Sequence, residues 1–331
     1  MSGYSFGSGG PSWNGIPMVN GIPVTFGNSA NKGAGKIYFV NPTTGHDGNR
    51  GTSMTRPLAT VAAAYAKTVS NNHDVVVLSA TSAHVIADQI SVSNSRTHFW
   101  GMDAVGRYMG QRTRLTMGTT VGESNAAIAI IVNTGTGNSF SHMKFDSSDV
   151  ADTSLYCFAE GGEYTVIQHC EIYKSSDVAE TTGSELVMNG DSAYVHHCTI
   201  GDNSNKKTGA IHPNVTLTLS TAAAGKVCRD VIFEDCMFFK YAEDNADVFV
   251  YSADVADVER MLLFKRCLFF SSPKSDNAPD VCISGVDAFT HGSVILWDSH
   301  AVNCDKLATT LGVFSLNPTL AAAGGYGVQC T

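Results

Sequence analysis

Charge is what this chain has least of. Only 15% of its 331 residues are Asp, Glu, Lys or Arg, and acids outnumber bases by 30 to 21. With a net charge of −9 there is no basic stripe to track phosphates, so neither nucleic acid nor an anionic membrane is expected as a partner. Long apolar runs are missing too, and none approaches the roughly 18 residues that a membrane span needs. The opening Met1-Ser2-Gly3-Tyr4-Ser5-Phe6-Gly7 has no positive segment and no apolar one, so no secretory signal is expected and synthesis in a cytoplasm is. Nine cysteines make an odd number, and no Cys-x-x-Cys pair marks a zinc site. They read as small buried hydrophobes, kept reduced, rather than as a disulfide framework. Nothing implies a cofactor.

What the chain does have is a phrase that returns. It reads Phe140-Ser141-His142-Met143-Lys144-Phe145, then Ile167-Gln168-His169-Cys170-Glu171-Ile172, then Val195-His196-His197-Cys198-Thr199-Ile200. It continues as Phe233-Glu234-Asp235-Cys236-Met237-Phe238 and Phe264-Lys265-Arg266-Cys267-Leu268-Phe269, and fades at Leu296-Trp297-Asp298-Ser299-His300-Ala301. With Met143, Cys170, Cys198, Cys236, Cys267 and Ser299 as anchors, the intervals are 27, 28, 38, 31 and 32. A period in that range signals a solenoid. The anchor and the residue two places on alternate as a half-buried strand does. The two polar residues before the anchor break the alternation, as a bend between two short strands would. A second apolar run precedes each phrase, for example Leu155-Tyr156-Cys157-Phe158 and Val248-Phe249-Val250-Tyr251, and turn-forming stretches such as Asp202-Asn203-Ser204-Asn205 lie between. Several short strands per repeat, with no helical period between them, predict an all-β fold: a single-stranded right-handed parallel β-helix. Regular coils are expected over about 126–331.

The segment before the repeats is more specific. Tyr38-Phe39-Val40-Asn41-Pro42 is followed by Asp47-Gly48-Asn49-Arg50-Gly51-Thr52-Ser53, then Pro57-Leu58-Ala59-Thr60-Val61 and Asp74-Val75-Val76-Val77-Leu78. This order resembles the opening of the pectate-lyase-like right-handed parallel β-helix superfamily, and with the later coils the resemblance spans about 36–331. It implies a short N-terminal capping helix, here placed at about 58–70, where Leu58, Val61, Ala62, Tyr65, Ala66 and Val69 share one face. Residues 1–35, rich in Gly and Pro, form a separate N-terminal segment with the echo Asn14-Gly15-Ile16-Pro17 and Asn20-Gly21-Ile22-Pro23. Trp13, Ile16, Met18, Val19, Ile22, Val24 and Phe26 are costly to leave in water, which suggests an extended arm that attaches to a partner or a neighbouring subunit.

The superfamily hosts polysaccharide lyases, glycosidases, surface proteins, and tailspikes and decoration proteins of tailed phages, so the site must decide. Clustered carboxylates are the first candidates. Glu243, Asp244 and Asp247 form the densest group, while Asp146, Asp149, Asp177, Glu180 and Asp202 follow the phrase at different offsets and read as solvated turns. Arg107, Arg112 and Arg114 read as a surface loop. One column does align: His142, His169, His197, Asp235, Arg266 and Asp298, with His196 beside it. Three stacked histidines could bind a metal or sense pH, and an exposed ladder with Asp–Arg pairs is the plainer alternative. The resulting expectation is a structural virion protein of a tailed bacteriophage, a homotrimeric capsid decoration or stabilising protein attached through its N-terminal arm to other virion proteins. The alternatives are a tailspike-like depolymerase, lyase or glycosidase, acting on a host surface glycan, or a glycan-binding adhesin without turnover.

Overall fold

The computed structural model describes residues 35–102, 113–117, 129–147, 156–174, 183–205, 212–217, 227–242, 245–272 and 278–316, and the backbone of three short strands at 12–13, 16–19 and 22–23. Three parallel sheets run along it, and each winding visits them in the same order. The first sheet has ten strands, from Ile37–Val40, Val75–Leu78 and His98–Gly101 to Val313–Ser315. The second has eight, from His84–Ile86 to His300–Val302, and the third eight, from Ile90–Val92 to Lys306–Ala308. This is the right-handed parallel β-helix that the repeat predicts. Parallel pairing begins at Ile37–Val40, well before residue 126. The early windings lack the sulfur anchor of the later ones.

Alternating side chains point into the tube and stack on the winding below. In the first sheet Phe99, Phe140, Ile167, Val195, Phe233, Phe264 and Leu296 are register partners in succession. In the second, Leu115, Phe145, Ile172, Ile200, Phe238, Phe269 and Ala301 do the same. Phe99–Phe140, Phe233–Phe264 and Phe238–Phe269 stack at 5.1, 5.0 and 4.6 Å between ring centres. Burying each such side chain contributes about 1.5–3 kcal/mol, and the tube is one continuous apolar cluster from Tyr38 to Val313.

The anchors occupy a single interior file at the corner between the first and second sheets. The thiols of Cys170, Cys198, Cys236 and Cys267 each donate at 3.5 Å to a carbonyl of the winding below: Phe140, Ile167, Val195 and Phe233 respectively. Ser299 makes the same bond to Phe264 at 3.0 Å. Eight cysteines are free and buried among the described residues. Burial, and then the neighbouring thiol, push Cys198, Cys236 and Cys267 far above the usual thiol range, so they stay protonated and unreactive.

The residue before each anchor turns the corner. His142, His169, His197, Asp235, Arg266 and Asp298 all have positive φ, between 50 and 59°. This left-handed backbone redirects the chain in one residue and disfavours β-branched side chains, which explains why polar residues fill the column.

At the first end, the resemblance motif has a mechanical role. The Asp47 carboxylate accepts the N–H groups of Ala59 and Thr60 and the Thr60 hydroxyl, all at 2.9 Å. Thr60 in turn caps the helix by accepting Ala63 N–H at 3.1 Å. Gly51, at φ 75°, lies under Leu58, where a Cβ would sit 2.5 Å from Cδ1. The helix is short, Val61–Tyr65 rather than 58–70. Asp74 ends the segment early: its carboxylate takes the Val69 N–H at 2.7 Å and the Lys36 N–H at 2.6 Å, folding 66–74 back to the first strand.

The N-terminal segment departs from an extended arm. Ser12–Trp13, Ile16–Val19 and Ile22–Pro23 pair antiparallel in a three-stranded meander. Trp13, Ile16, Met18, Val19 and Ile22 therefore lie on paired strands, while Val24 and Phe26 are outside the described residues.

Candidate functional site

Two outward-facing groups on the second sheet and its corner carry the chemistry. The first comes from three successive strands, Arg114–Met117, Lys144–Ser147 and Glu171–Lys174. Lys144, Asp146, Glu171 and Tyr173 occupy the positions one and three after the anchor, where strand alternation points side chains outward. All four are nevertheless buried. The Tyr173 hydroxyl donates to Asp146 at 2.9 Å, Arg114 lies 3.8 Å from the same carboxylate, and Lys144 is 3.4 Å from Glu171 and 4.6 Å above the Tyr173 ring. Burial, then the Asp146 charge, push the Tyr173 phenol far up, so it acts as a donor only. Asp146 Oδ1 is buried without a hydrogen-bond partner. Two carboxylates, one phenol and two cations so close together could orient a polar ligand or move a proton.

This group corrects two expectations. Asp146 is a buried strand residue, and Asp202 is buried too, accepting from Ser204 and Asn205; neither is a solvated turn. Arg114 is on a strand, not in a surface loop, while Arg107 and Arg112 fall outside the described residues. Lys144, Glu171 and Tyr173 were not singled out from sequence, although parity within the phrase marks them: outward positions there should be polar only where something polar faces them.

The second group is the corner column with its neighbours. Trp100 stacks on His142 at 5.4 Å, His142 lies 5.0 Å from His169, and His169 lies 5.1 Å from His197. The Nδ1 atoms of His196 and His197 share a hydrogen bond of 3.0 Å. Burial, then the neighbouring imidazoles, lower His142 and His196 to about 4. The rings of His142, His169 and His197 follow one another as a tilted ladder, at 32° and 39° between successive planes. Among the described residues no three His, Cys, Asp or Glu side chains are placed to hold a metal ion. The column then becomes ionic. His197 is 3.7 Å from Asp235, Arg266 binds Asp235 at 2.9 and 2.8 Å and Glu234 at 2.5 Å, and Lys265 binds Glu234 at 2.9 Å. The Tyr194 hydroxyl also donates to Glu234, at 2.5 Å. Hydrogen bonds from Tyr194 and Lys265 hold the Glu234 carboxyl down at about 2. The same contact, after burial, raises Tyr194 to about 12.

Of the dense acidic group, only Asp247 is among the described residues. Asp247 is fully buried and accepts the His212 N–H at 3.1 Å, and Glu243 and Asp244 lie outside the described residues.

No family model matches the chain, and no curated protein does. Solved structures do match. Pectate lyase Pel9A superposes with a TM-score of 0.58 at 14% identity, over 85% of this chain and 68% of that one. Pectin methylesterase PemA from Erwinia chrysanthemi gives 0.52 at 11% identity, over 88% and 92%. ORF18 of Geobacillus virus E2 gives 0.46 at 11%, over 78% and 52%. At these identities the likeness establishes the fold alone: the chain has the right-handed parallel β-helix of pectate lyase and pectin methylesterase.

Proposed function

We propose that this chain is a structural protein of a tailed-phage virion, a self-associating decoration or stabilising protein attached through residues 1–35. One observation carries the structural reading. Four of the carboxylates singled out from sequence, Asp146, Asp202, Asp235 and Asp247, are engaged in holding the chain to itself. Asp146 accepts from Tyr173, Asp202 from Ser204 and Asn205, Asp247 from the His212 backbone, and Asp235 from Arg266. A catalytic carboxylate must be open to substrate within hydrogen-bond reach. These act as cross-links between and within windings, which suits a rod that resists shear and proteolysis.

The test is attachment. The chain should co-purify with particles visible by electron microscopy, and deleting residues 1–35 should leave a folded tube that no longer attaches. A deletion variant that decorates particles as well as the full chain defeats the proposed attachment.

A second reading, a depolymerase acting on a host surface glycan, is favoured by the group of buried Lys144, Asp146, Glu171 and Tyr173 beside the exposed Arg114. A glycan-degradation screen separates the two. Turnover that disappears in Asp146→Asn, with the fold intact by circular dichroism, replaces the structural reading by the enzymatic one. Retention of a glycan without cleavage identifies an adhesin.

A further inference from the structure

Outward positions change character along the tube. In the first sheet one outward file passes from Tyr194 to Ile232, Leu263, Ile295 and Phe314. In the second sheet a file that holds Asp146 and Tyr173 early holds Phe239, Phe270 and Val302 later. None of Ile232, Leu263, Ile295, Phe239 and Phe270 belongs to the interior cluster, and all five are half-buried. Phe314 is 49% exposed, Val302 41%, and Trp297, at the edge between the two files, 50%. Two apolar faces therefore flank one corner, on adjoining sheets of the same windings.

The corner between them is charged, and it is balanced at the windings of Asp235 and Arg266, with the exposed Asp298 beyond them. Glu234, Asp235, Lys265 and Arg266 carry two charges of each sign, and they bond to one another across windings. Charges already paired within the chain can be covered without leaving one stranded, which is the expensive outcome in an interface. A chain of net charge −9 repels its own copies, so a self-contact has to form where the local charge cancels. A copy also matches the corrugation of either face, since its windings rise by the same roughly 4.8 Å. A contact in register at one winding stays in register along the face.

Two different faces on one subunit point to the symmetry. A two-fold dimer needs one surface that meets itself, whereas a ring needs two complementary surfaces on every subunit. We infer that further copies of this chain dock on these two faces, the first-sheet face of one against the second-sheet face of the next. They close a ring of three or more subunits around the Glu234–Arg266 corner. The inference rests on the self-associating reading above and specifies its surface.

Light scattering on the full chain after size exclusion tests it directly. The expected mass is that of three or more chains. Leu263→Asp disables one face and Phe270→Asp the other, and each alone gives a monomer. An equimolar mixture of the two variants gives a one-to-one heterodimer and nothing larger, because only one pair of intact faces remains. Val85→Asp, on an exposed residue of the second sheet at the far end of the tube, leaves the wild-type mass unchanged. A wild-type monomer or two-fold dimer overturns the inference, and that measurement needs no variant to fold. So does either face variant keeping the full mass, which would mean that another segment or a different partner covers that face. A monomer that still decorates particles removes the ring and leaves the virion role, and a ring that does not attach removes the role and leaves the ring.

Discussion

The two halves of the tube share an interior and differ in their skin. Inside, Phe140 on Phe99 and Phe264 on Phe233 stack at nearly the same separation, and the same corner backbone recurs from His142 to Asp298. Outside, the second sheet carries Lys144, Asp146, Glu171 and Tyr173 in one half and Met237, Phe239, Leu268 and Phe270 in the other. The polar residues are buried and the apolar ones half exposed. Interior packing thus specifies the fold without distinguishing the halves, and whatever the protein touches is written on the outward parity.

The largest effects should therefore ignore the comparison. Phe140→Ala and Phe264→Ala should each cost about 3–5 kcal/mol, one from either half, because each empties a fully buried stack. Urea unfolding checks this, and a loss confined to one half would mean that the interiors are not equivalent.

The next effects should separate the halves. Lys144→Ala takes the cation from a carboxylate whose side chain is 4% exposed, and breaking a pair that deep costs about 3 kcal/mol. Lys265→Ala acts on a pair whose side chains are 28% and 17% exposed, where water compensates, and should cost less than about 1 kcal/mol. Equal losses in the two variants would erase the contrast.

Acid should also act through the histidine-rich windings. His142, facing Trp100 and His169, and His196, facing His197, His169, Tyr194, Glu234 and Asp235, are lowered to about 4 in the fold. A histidine in the unfolded chain titrates near 6.5. Between those values the unfolded state binds more protons, so stability is full above about 6.5 and falls as pH drops toward 4. Melting temperature against pH should show this slope, and His142→Asn, which tolerates the left-handed corner, should flatten it. An unchanged slope would mean that the imidazole is not the group that titrates.

The smallest effect belongs to the sulfur file. Ser299 already makes the bond that the cysteines make, so Cys236→Ser should shift stability by no more than about 1 kcal/mol. A large loss would show that sulfur packing, not the hydrogen bond, is what the position requires.

Much of this was legible in the chain. The interval between sulfur anchors identified the windings, and the anchors do form one interior file. The motif from Asp47 to Thr60 marked the capped end, where Asp47 accepts the Ala59 and Thr60 N–H groups and Thr60 that of Ala63. Two things were not legible. Charge in a strand reads as solvent-facing, so Asp146 and Glu171 could not be recognised as buried without knowing that their outward side is covered. The early windings were legible through the resemblance over about 36–331 but not as regular repeats, because valine, leucine and tryptophan fill their strands without the recurring cysteine.

The winding intervals run from 27 to 38 residues, yet the strands stay in step, with one irregularity between Arg229 and Val231. Slack is taken up between strands, while each turn of the coil closes on the one beneath. Length in such a molecule is counted in whole turns. Duplicating or excising one complete turn leaves every remaining layer with a neighbour of the same shape, whereas adding a single residue inside a strand swaps its inner and outer sides. A rod of this kind can be lengthened by genetic duplication in discrete steps, each step already a finished tube.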